Sequence, residues 1–309
     1  MMGVARYPVT QDDGPGGLKM RARRELLFGL LFASPWIVGF LAFTLYPMLS
    51  SLYYSFTTYH ITGTTHWIGL GNFQEMFTQD TLFWVSLWNS TVYSLVSVPL
   101  DVSVALLLAI MLNMAVPGRA FFRTVFFLPT IVPGVVTAIL WVLLYNTQDG
   151  MFNDILAFFH LGPVPWLSSP DWAMRSLILM TVWGVGNAVI IFLAGLQDVP
   201  GHLYEAARLD GAGSLSLFRH VTVPMVSPVI LFNVILSVIS SFQTFVIPFI
   251  MTGGGPVNAT QLYSLQVYLN SFQNFRMGYA SAEAWFMFVI IFGLTLLTLR
   301  FSRRVVHYS

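Results

Sequence analysis

The chain has 309 residues, of which 56% are hydrophobic and only 9% are charged, and its mean hydropathy is +0.72. Soluble domains carry roughly 25% charged residues, so this composition excludes an ordinary water-soluble fold and predicts an all-α membrane protein. A net charge of +1 gives no basis for binding nucleic acid, and the lack of cysteine excludes disulfides, thiolate nucleophiles and cysteine-ligated metals.

The N-terminal segment, residues 1–25, is polar and rich in arginine, and we predict that it is a cytoplasmic tail. A secretory signal peptide is the alternative. The apolar stretch from residue 26 to about 49 is longer than a signal-peptide core of about 7–15 residues, and no small-x-small cleavage site closes it. This stretch is therefore predicted to be the first membrane span.

Five further stretches reach the length of about 20 mostly apolar residues that a membrane-spanning helix needs. They cover approximately residues 86–113, 124–146, 175–196, 226–250 and 281–300. Lipid-facing backbone must satisfy its own hydrogen bonds, so each stretch is predicted to be helical. Prolines inside the spans indicate either packing adjustments or helices bent around a cavity. They are Pro35, Pro47, Pro99, Pro129, Pro133 and Pro248.

The distribution of lysine and arginine predicts which side each loop occupies. Twelve of the fourteen basic residues fall in the N-terminal segment, in the loops around Arg119 and Arg208, and after residue 299; only Arg175 and Arg276 fall on the opposite side. The positive-inside rule then predicts that both termini are cytoplasmic. The external loops are predicted at about 50–85, 147–174 and 251–280.

The segment "EAARLDGAGSLSLFRH", residues 205–220, is unusually polar for a loop between two apolar spans. Residues 203–210 are predicted to form a short helix, with Gly211 as a left-handed C-terminal cap. Ser214 is expected to cap a second helix, and Pro224 and Pro228 to end regular structure before span five. The result would be a stiff knob able to transmit a partner's movement, or else an ordinary amphipathic interfacial helix.

Polar residues inside the spans are candidates for substrate binding or for helix-to-helix hydrogen bonds. In span five the serines and Thr244 recur every three or four residues on one face, beside phenylalanines, and hydroxyls next to aromatic rings suit a sugar. The candidate substrate residues are Thr181, Trp183, Asn187, Ser237, Ser240, Ser241, Gln243 and Thr244.

Two acidic residues in the spans need a separate explanation. Asp101 falls near the middle of span two, where insertion of a carboxylate costs about 2.5–3.5 kcal/mol. It either faces the cavity in a substrate or proton role, pairs with a structural partner, or stays protonated. Glu283 is expected at the solvated outer end of span six. The glycines of "TGGGP", residues 252–256, indicate a flexible turn or an external contact loop.

Four separated motifs resemble the permeases of binding-protein-dependent ABC importers. "YEAARLDGAGSLSLFRHVTVPMVSPVI" resembles their EAA loop, with Val223 where leucine is usual. "WIGLGNFQEMF" (67–77), "GRAFFRTVFFLPTIVPGVV" (118–136) and "MTGGGPVNAT" (251–260) are similar to the carbohydrate type, in the branch of the maltose permease and the glycerol-phosphate permease A component. The resemblance covers residues 26 to 304.

The resemblance implies a type I ABC importer permease fold over residues 26–304, with a coupling loop at about 197–225 and a short tail at 305–309. It implies a prokaryotic plasma-membrane protein that imports a sugar, an oligosaccharide or a sugar phosphate such as glycerol phosphate. The coupling loop would dock on the ATPase, and "GGGP" would meet the binding protein. The residues carried over are Glu205, Ala206, Ala207, Asp210 and Gly211 for coupling, and Gly253, Gly254, Gly255 and Pro256 for the binding protein.

The implied partners are a second, different permease subunit, a homodimeric ABC ATPase and an extracytoplasmic solute-binding protein, all in a lipid bilayer. ATP and Mg²⁺ would be bound by the ATPase, because this chain has no Gly-Lys-Ser/Thr phosphate loop and its one lysine is Lys19. No cofactor and no metal are expected in the chain itself.

Two other classes compete with the importer permease. An ion-coupled secondary transporter predicts several mid-span charges and an inverted repeat, and only Asp101 fits. An intramembrane enzyme is less favoured still, because the sequence has no Gly-x-Ser-Gly, Gly-x-Gly-Asp or His-Glu-x-x-His site.

Overall fold

The computed structural model describes residues 15–60, 63–114 and 117–302. Residues 1–14 of the predicted N-terminal tail 1–25 and the predicted C-terminal tail 305–309 lie outside the described residues, as do Arg6, Arg303 and Arg304 of the charge pattern. The helices are α1 (Pro15–Phe40), α2 (Tyr46–Tyr54), α3 (Gly71–Thr78), α4 (Thr81–Asn113), α5 (Arg119–Ile131), α6 (Gly134–Leu144), α7 (Met151–Phe158), α8 (Pro170–Thr181), α9 (Gly186–Gln197), α10 (Gly201–Leu209), α11 (Ser214–Leu217), α12 (Val223–Phe242), α13 (Val246–Met251), α14 (Tyr263–Tyr268) and α15 (Met277–Ser302).

Short turns of other helix types connect some of these helices. They are π-helical at Leu41–Leu45, Phe218–Thr222 and Leu269–Gln273, and 3-10 at Val182–Gly184. Within the described ranges, the extended pairing is an isolated antiparallel bridge between Thr57 and Trp67. The prediction of an all-α chain is confirmed.

Six apolar spans are found among the described residues when each bent helix pair counts as one span. Four are long stretches: Arg24–Tyr54, Thr81–Asn113, Ser214–Met251 and Met277–Ser302. Ser214–Met251 is interrupted at residues 243–245, between α12 and α13.

The other two spans are the pairs α5–α6 and α8–α9, which bend by 101° and 46°. The stretch predicted as a helical span at 124–146 therefore forms two helices, and the bend lies at Pro129 and Pro133, where a kink was expected. Pro129 lies inside α5 and Pro133 is the N-cap of α6, so two residues without an amide hydrogen flank the break.

The described residues divide into two compact units, one that ends at Tyr53 and one that begins at Tyr54. In the first unit, α1 and the π-helical turn lead into α2 and form the first span. Large apolar side chains on it, among them Phe32 and Phe43, are exposed. Such a surface suits a lipid environment, which is as apolar as the side chains themselves.

The second unit is organised around α4, which packs against α9 and α12. One face of α4 carries a row of small buried side chains, which let neighbouring backbones approach closely. Two of them also bind across helices: Ser94 Oγ accepts from Ser241 Oγ at 2.7 Å, and Ser90 Oγ accepts from the backbone N–H of Tyr263 at 2.8 Å. The row consists of Ser86, Ser90, Ser94, Ser97, Ala105 and Ala109.

A glycine on α9 sets how closely that helix meets α5. A Cβ atom at Gly186 would lie 2.4 Å from the carbonyl oxygen of Phe126 and 2.8 Å from Thr130 Cγ2. A backbone oxygen cannot move aside as a flexible side chain can. Only glycine therefore permits this α5–α9 contact.

Glu283 is buried, in contrast to the solvated position we expected. It lies within α15 and has no exposed surface. Its Oε2 accepts from Asn270 Nδ2 at 2.9 Å, while Oε1 has no partner among the described residues. Helix α14 and the π-helical turn at Leu269–Gln273 cover this side of α15, and the Tyr263 hydroxyl donates to the Glu283 carbonyl oxygen at 2.9 Å.

The close approach at Gly186 gives a testable stability prediction. Gly186→Ala should lower the melting temperature of the detergent-purified protein, because overpacking a tight contact costs about 1–3 kcal/mol. Gly293→Ala is the matched control: it lies within α15, with no atom within 4 Å of its added Cβ. Alanine there should be neutral or stabilising, and equal melting temperatures for the two variants would refute the contact.

Candidate functional site

A cavity of about 560 Å³ lies where three spans of the second unit break. It is bordered by the middle of α4, the α5–α6 break, the α8–α9 break and the C-terminal half of α12. The polar and aromatic residues that line it are Tyr93, Ser97, Asp101, Thr130, Thr137, Thr181, Trp183, Asn187, Asn233, Ser237, Ser240, Ser241 and Thr244.

Seven of the eight candidate substrate residues line this cavity; Gln243 does not and lies exposed at the C-terminal cap of α12. Ser241 is buried and bonded to α4, as the helix-packing alternative anticipated. The side chains of Asn187, Ser237 and Ser240 make no hydrogen bond with the described residues. They line the cavity with unused donors and acceptors, as a polar ligand requires.

Trp183 supplies an aromatic surface beside these polar groups. It lies in the 3-10 turn between α8 and α9, and its ring meets Trp141 edge-on with centroids 6.2 Å apart. Thr244 donates to the carbonyl oxygen of Ser240 at 3.0 Å, which orients it at the end of α12.

Several lining residues, among them Tyr93, Ser97 and Asn233, were missed in the sequence, although their spacing from Asp101 and Ser237 carried a signal. Tyr93, Ser97 and Asp101 recur every four residues on α4, so they share one helical face. Asn233 precedes Ser237 by one turn on α12 and falls on the face of the predicted serines.

Asp101 is both paired and open to the cavity. The Thr181 hydroxyl lies 2.6 Å from Asp101 Oδ1 and donates to it, with the Ile178 carbonyl oxygen as a second acceptor at 2.8 Å. Asp101 Oδ2 makes no hydrogen bond with the described residues. The predicted structural pairing is thus present, without a cation.

The polar loop after α9 forms the expected short helix and turn. The chain leaves α10 through Gly211, whose φ is +82°. The N–H groups of Gly211 and Ala212 donate to the carbonyl oxygens of Arg208 at 3.0 Å and Ala207 at 2.9 Å. This is the Schellman pattern that a left-handed glycine allows, so the prediction for Gly211 is confirmed as local geometry.

The continuation of this loop differs from our expectation in two ways. Gly213, not Ser214, is the N-cap of α11, and no side-chain cap bond forms there. Neither proline ends regular structure: a π-helical turn at Phe218–Thr222 leads into α12, Pro224 falls in the first turn of α12 and Pro228 lies inside it. The first turn of a helix tolerates proline, whose missing N–H would have no partner there.

A side-chain contact ties the short helix to this longer one. The hydroxyl oxygens of Tyr204 and Thr222 are 3.1 Å apart, which joins α10 to the π-helical turn. The residues we predicted for coupling lie on the outer part of the loop: Glu205, Ala206, Asp210 and Gly211 are exposed, and Ala207 is half-buried. Leu209 and Leu215, on either side of the turn, are 89% and 80% exposed.

The "GGGP" loop is held in place by hydrogen bonds. The hydroxyl oxygens of Thr260 and Thr252 are 2.6 Å apart, and the Thr260 hydroxyl donates to the Gly255 carbonyl oxygen at 2.7 Å. Gly253 and Gly254 have φ values of +59° and +89°. Gly253 is exposed, Gly254 is buried, and Gly255 and Pro256 are half-buried. The loop is therefore structured, with Val257 projecting beside it at 87% exposure.

A second polar cluster joins α3 and the start of α4 to α14 and α15. Arg276 pairs with Glu75 at 2.5 Å, and the Tyr279 hydroxyl donates to Asp80 Oδ2 at 2.6 Å. Burial, and then the carboxylates of Glu283 and Asp80, raise the pKa of the Tyr263 hydroxyl above its ordinary value. Tyr263 therefore stays a hydrogen-bond donor. No group of three metal-binding side chains occurs in the part of the chain that the structure describes.

Comparison with known proteins adds an independent finding. Residues 101–307 match the family model described as "Binding-protein-dependent transport system inner membrane component". The chain is 43% identical over 291 residues to a probable ABC transporter permease protein, YesP, of Bacillus subtilis (strain 168), covering 93% of this chain and 94% of the relative. It is 32% identical over 282 residues to the trehalose/maltose transport system permease protein MalF of Thermococcus litoralis, covering 91% and 95%.

The fold also has a solved counterpart. A chain of a bacterial alginate ABC transporter, crystallised with an alginate-bound periplasmic protein, matches with a TM-score of 0.78 at 24% identity. The match covers 94% of this chain and 98% of that one. At this identity the likeness establishes the fold alone.

The open cavity can be tested by cysteine labelling, because the chain contains no cysteine of its own. Ser240→Cys should react quickly with a water-soluble methanethiosulfonate in detergent-purified protein, since Ser240 is exposed and lines the cavity. Ser86→Cys, on the fully buried face of α4, should react at least about ten-fold more slowly because solvent must reach the thiol. Equal rates would contradict the cavity.

Proposed function

Because the chain belongs to the family of binding-protein-dependent transport system inner membrane components, we propose that it is the permease subunit of an ATP-driven importer of a sugar or oligosaccharide. Family membership makes the chain a multi-pass membrane transport subunit and not an enzyme. It also sets aside the ion-coupled secondary transporter.

The observation that carries the sugar assignment is the cavity at the three helix breaks. A sugar presents hydroxyls at its edge and an apolar face, so it needs hydrogen-bonding groups beside an aromatic ring. Asn187, Ser237 and Ser240 offer unused hydrogen-bonding capacity, and Trp183 offers the ring. The trehalose/maltose name of one relative supports the same cargo class.

Coupling is assigned to the loop between α9 and α12. Leu209 and Leu215 present apolar surface to solvent on either side of a turn fixed by Gly211. Exposed apolar side chains next to polar ones suit a protein interface. We infer that Glu205 to Gly211 dock in a groove of a homodimeric ABC ATPase, which binds ATP and Mg²⁺.

The "GGGP" loop, which is predicted on the opposite side of the membrane, is assigned to contact with the binding protein. The "GGGP" loop with the projecting Val257 is a rigid, exposed feature that a solute-binding protein outside the cell can contact. This arrangement requires both termini to be cytoplasmic, in agreement with the distribution of arginine. A second, different permease subunit completes the translocation pathway.

Gly211→Val should reduce ATP-driven uptake by at least about ten-fold while membrane insertion stays normal, because a β-branched residue is strained at positive φ. The matched control is Gly213→Val, in the same loop, where φ is −76° and no atom lies within 4 Å of an added Cβ. Uptake is measured in vesicles that contain the complete importer. A Gly211 variant that transports and recruits the ATPase like the control would exclude docking through this turn.

Sidedness is tested with two further single cysteines and a membrane-impermeant maleimide. Val257→Cys should be labelled in intact cells. Leu209→Cys should be labelled only after permeabilisation, and less when the ATPase is co-expressed, because docking covers it. Labelling of Leu209→Cys in intact cells would invert the proposed topology and end the coupling assignment.

A further inference from the structure

The charged side chains that line the cavity indicate which class of sugar it can bind. Asp101 is the one charged side chain among the described residues that line it, and lysine, arginine and histidine are absent from that lining. The remaining polar groups are hydroxyls and amides. A site built for an anionic sugar would be expected to present a cation or a cluster of donors to the anion.

The hydrogen bonding of Asp101 leaves half of its carboxyl group free. Thr181 occupies Oδ1 at 2.6 Å, which fixes the orientation of the side chain. The Oδ2 atom makes no hydrogen bond with the described residues, on a side chain that lines the cavity. An ionised carboxyl group only accepts hydrogen bonds, so its natural ligands are hydroxyl groups.

Structural pairing alone does not account for an acid at this position. The Thr181 hydroxyl would be satisfied equally by the carbonyl oxygen of an asparagine, which is cheaper to place in a membrane span. The carboxyl group therefore points to a role toward something in the cavity. Hydroxyl donors gain from bonding to a charged acceptor, whereas a second anion at contact distance is repelled.

We propose that Asp101 is a specificity-determining residue, which accepts hydrogen bonds from an uncharged sugar and excludes sugars bearing carboxylate, sulfonate or phosphate. The proposal rests on the proposed function and narrows its substrate class. It removes the sugar phosphate from the candidates that the sequence resemblance left open.

The experiment compares neutral and acidic probes on the purified importer without its binding protein, so that the binding protein cannot filter them. Saturation-transfer NMR detects millimolar binding of cellotriose and maltotriose, of trigalacturonate, and of glucose 6-phosphate. Wild type should bind a neutral trisaccharide at least about ten-fold better than either anion. Asp101→Asn should keep neutral binding within about three-fold and reduce this preference about ten-fold.

Two further variants separate a specificity role from a structural one. Asp101→Leu should lose neutral binding and, in vesicles with the complete importer, lower the maximal uptake rate at unchanged half-saturation. Thr298→Val, on α15 away from the cavity lining, should behave as wild type. Gel-filtration retention of each variant reports folding.

The outcomes distinguish failure of the specificity role of Asp101 from failure of the proposed importer function. A wild type that prefers trigalacturonate or glucose 6-phosphate overturns the inference but leaves the importer function intact. A neutral-to-acidic ratio that Asp101→Asn leaves unchanged also overturns it. Failure of the chain to assemble with an ATPase into a sugar-transporting complex would instead overturn the proposed function.

Discussion

Hydrocarbon offers no partner for a backbone amide, so a membrane-crossing helix can break only where protein or trapped water satisfies the freed groups. In the part of the chain that the structure describes, three spans break, at residues 131–134, 182–186 and 242–246. Residues beside all three breaks line the same cavity. The breaks and the cavity thus require each other. The cavity supplies polar surroundings for the freed backbone, and the breaks let the spans diverge enough to leave space for a ligand.

The proposed coupling loop is connected to this cavity through α12. Helix α12 has 20 residues, which corresponds to a length of about 30 Å. At one end it joins the π-helical turn bonded to Tyr204 of α10; at the other it carries Ser237, Ser240 and Ser241. The helix continues past Pro224 and Pro228, so a single helix connects the proposed docking surface to the cavity.

Local features of the sequence were sufficient for much of this fold. Apolar length identified the spans, and the glycine after a short helix identified the left-handed turn at Gly211, since both depend on neighbouring residues only. The burial of Glu283 was not predictable, because the residues that cover it come from α14 and from the π-helical turn at Leu269–Gln273. The break of span three depended on two prolines acting together. The period of an α-helix was enough to predict that the span-five serines share one face. Gln243, which was predicted with them, lies outside the cavity lining.

Asp101 shows why an expensive residue at a cavity calls for a ligand-based explanation. Insertion of an aspartate at mid-span costs about 2.5–3.5 kcal/mol, and one hydrogen bond to a charged group contributes about 1.5–3 kcal/mol. The Thr181 bond offsets part of that cost, so the free oxygen needs donors from the cavity itself. Water that enters the cavity can donate to this oxygen. A cargo with hydroxyl groups can replace this water bond for bond, whereas an anionic cargo must displace the water and then face the carboxylate unscreened.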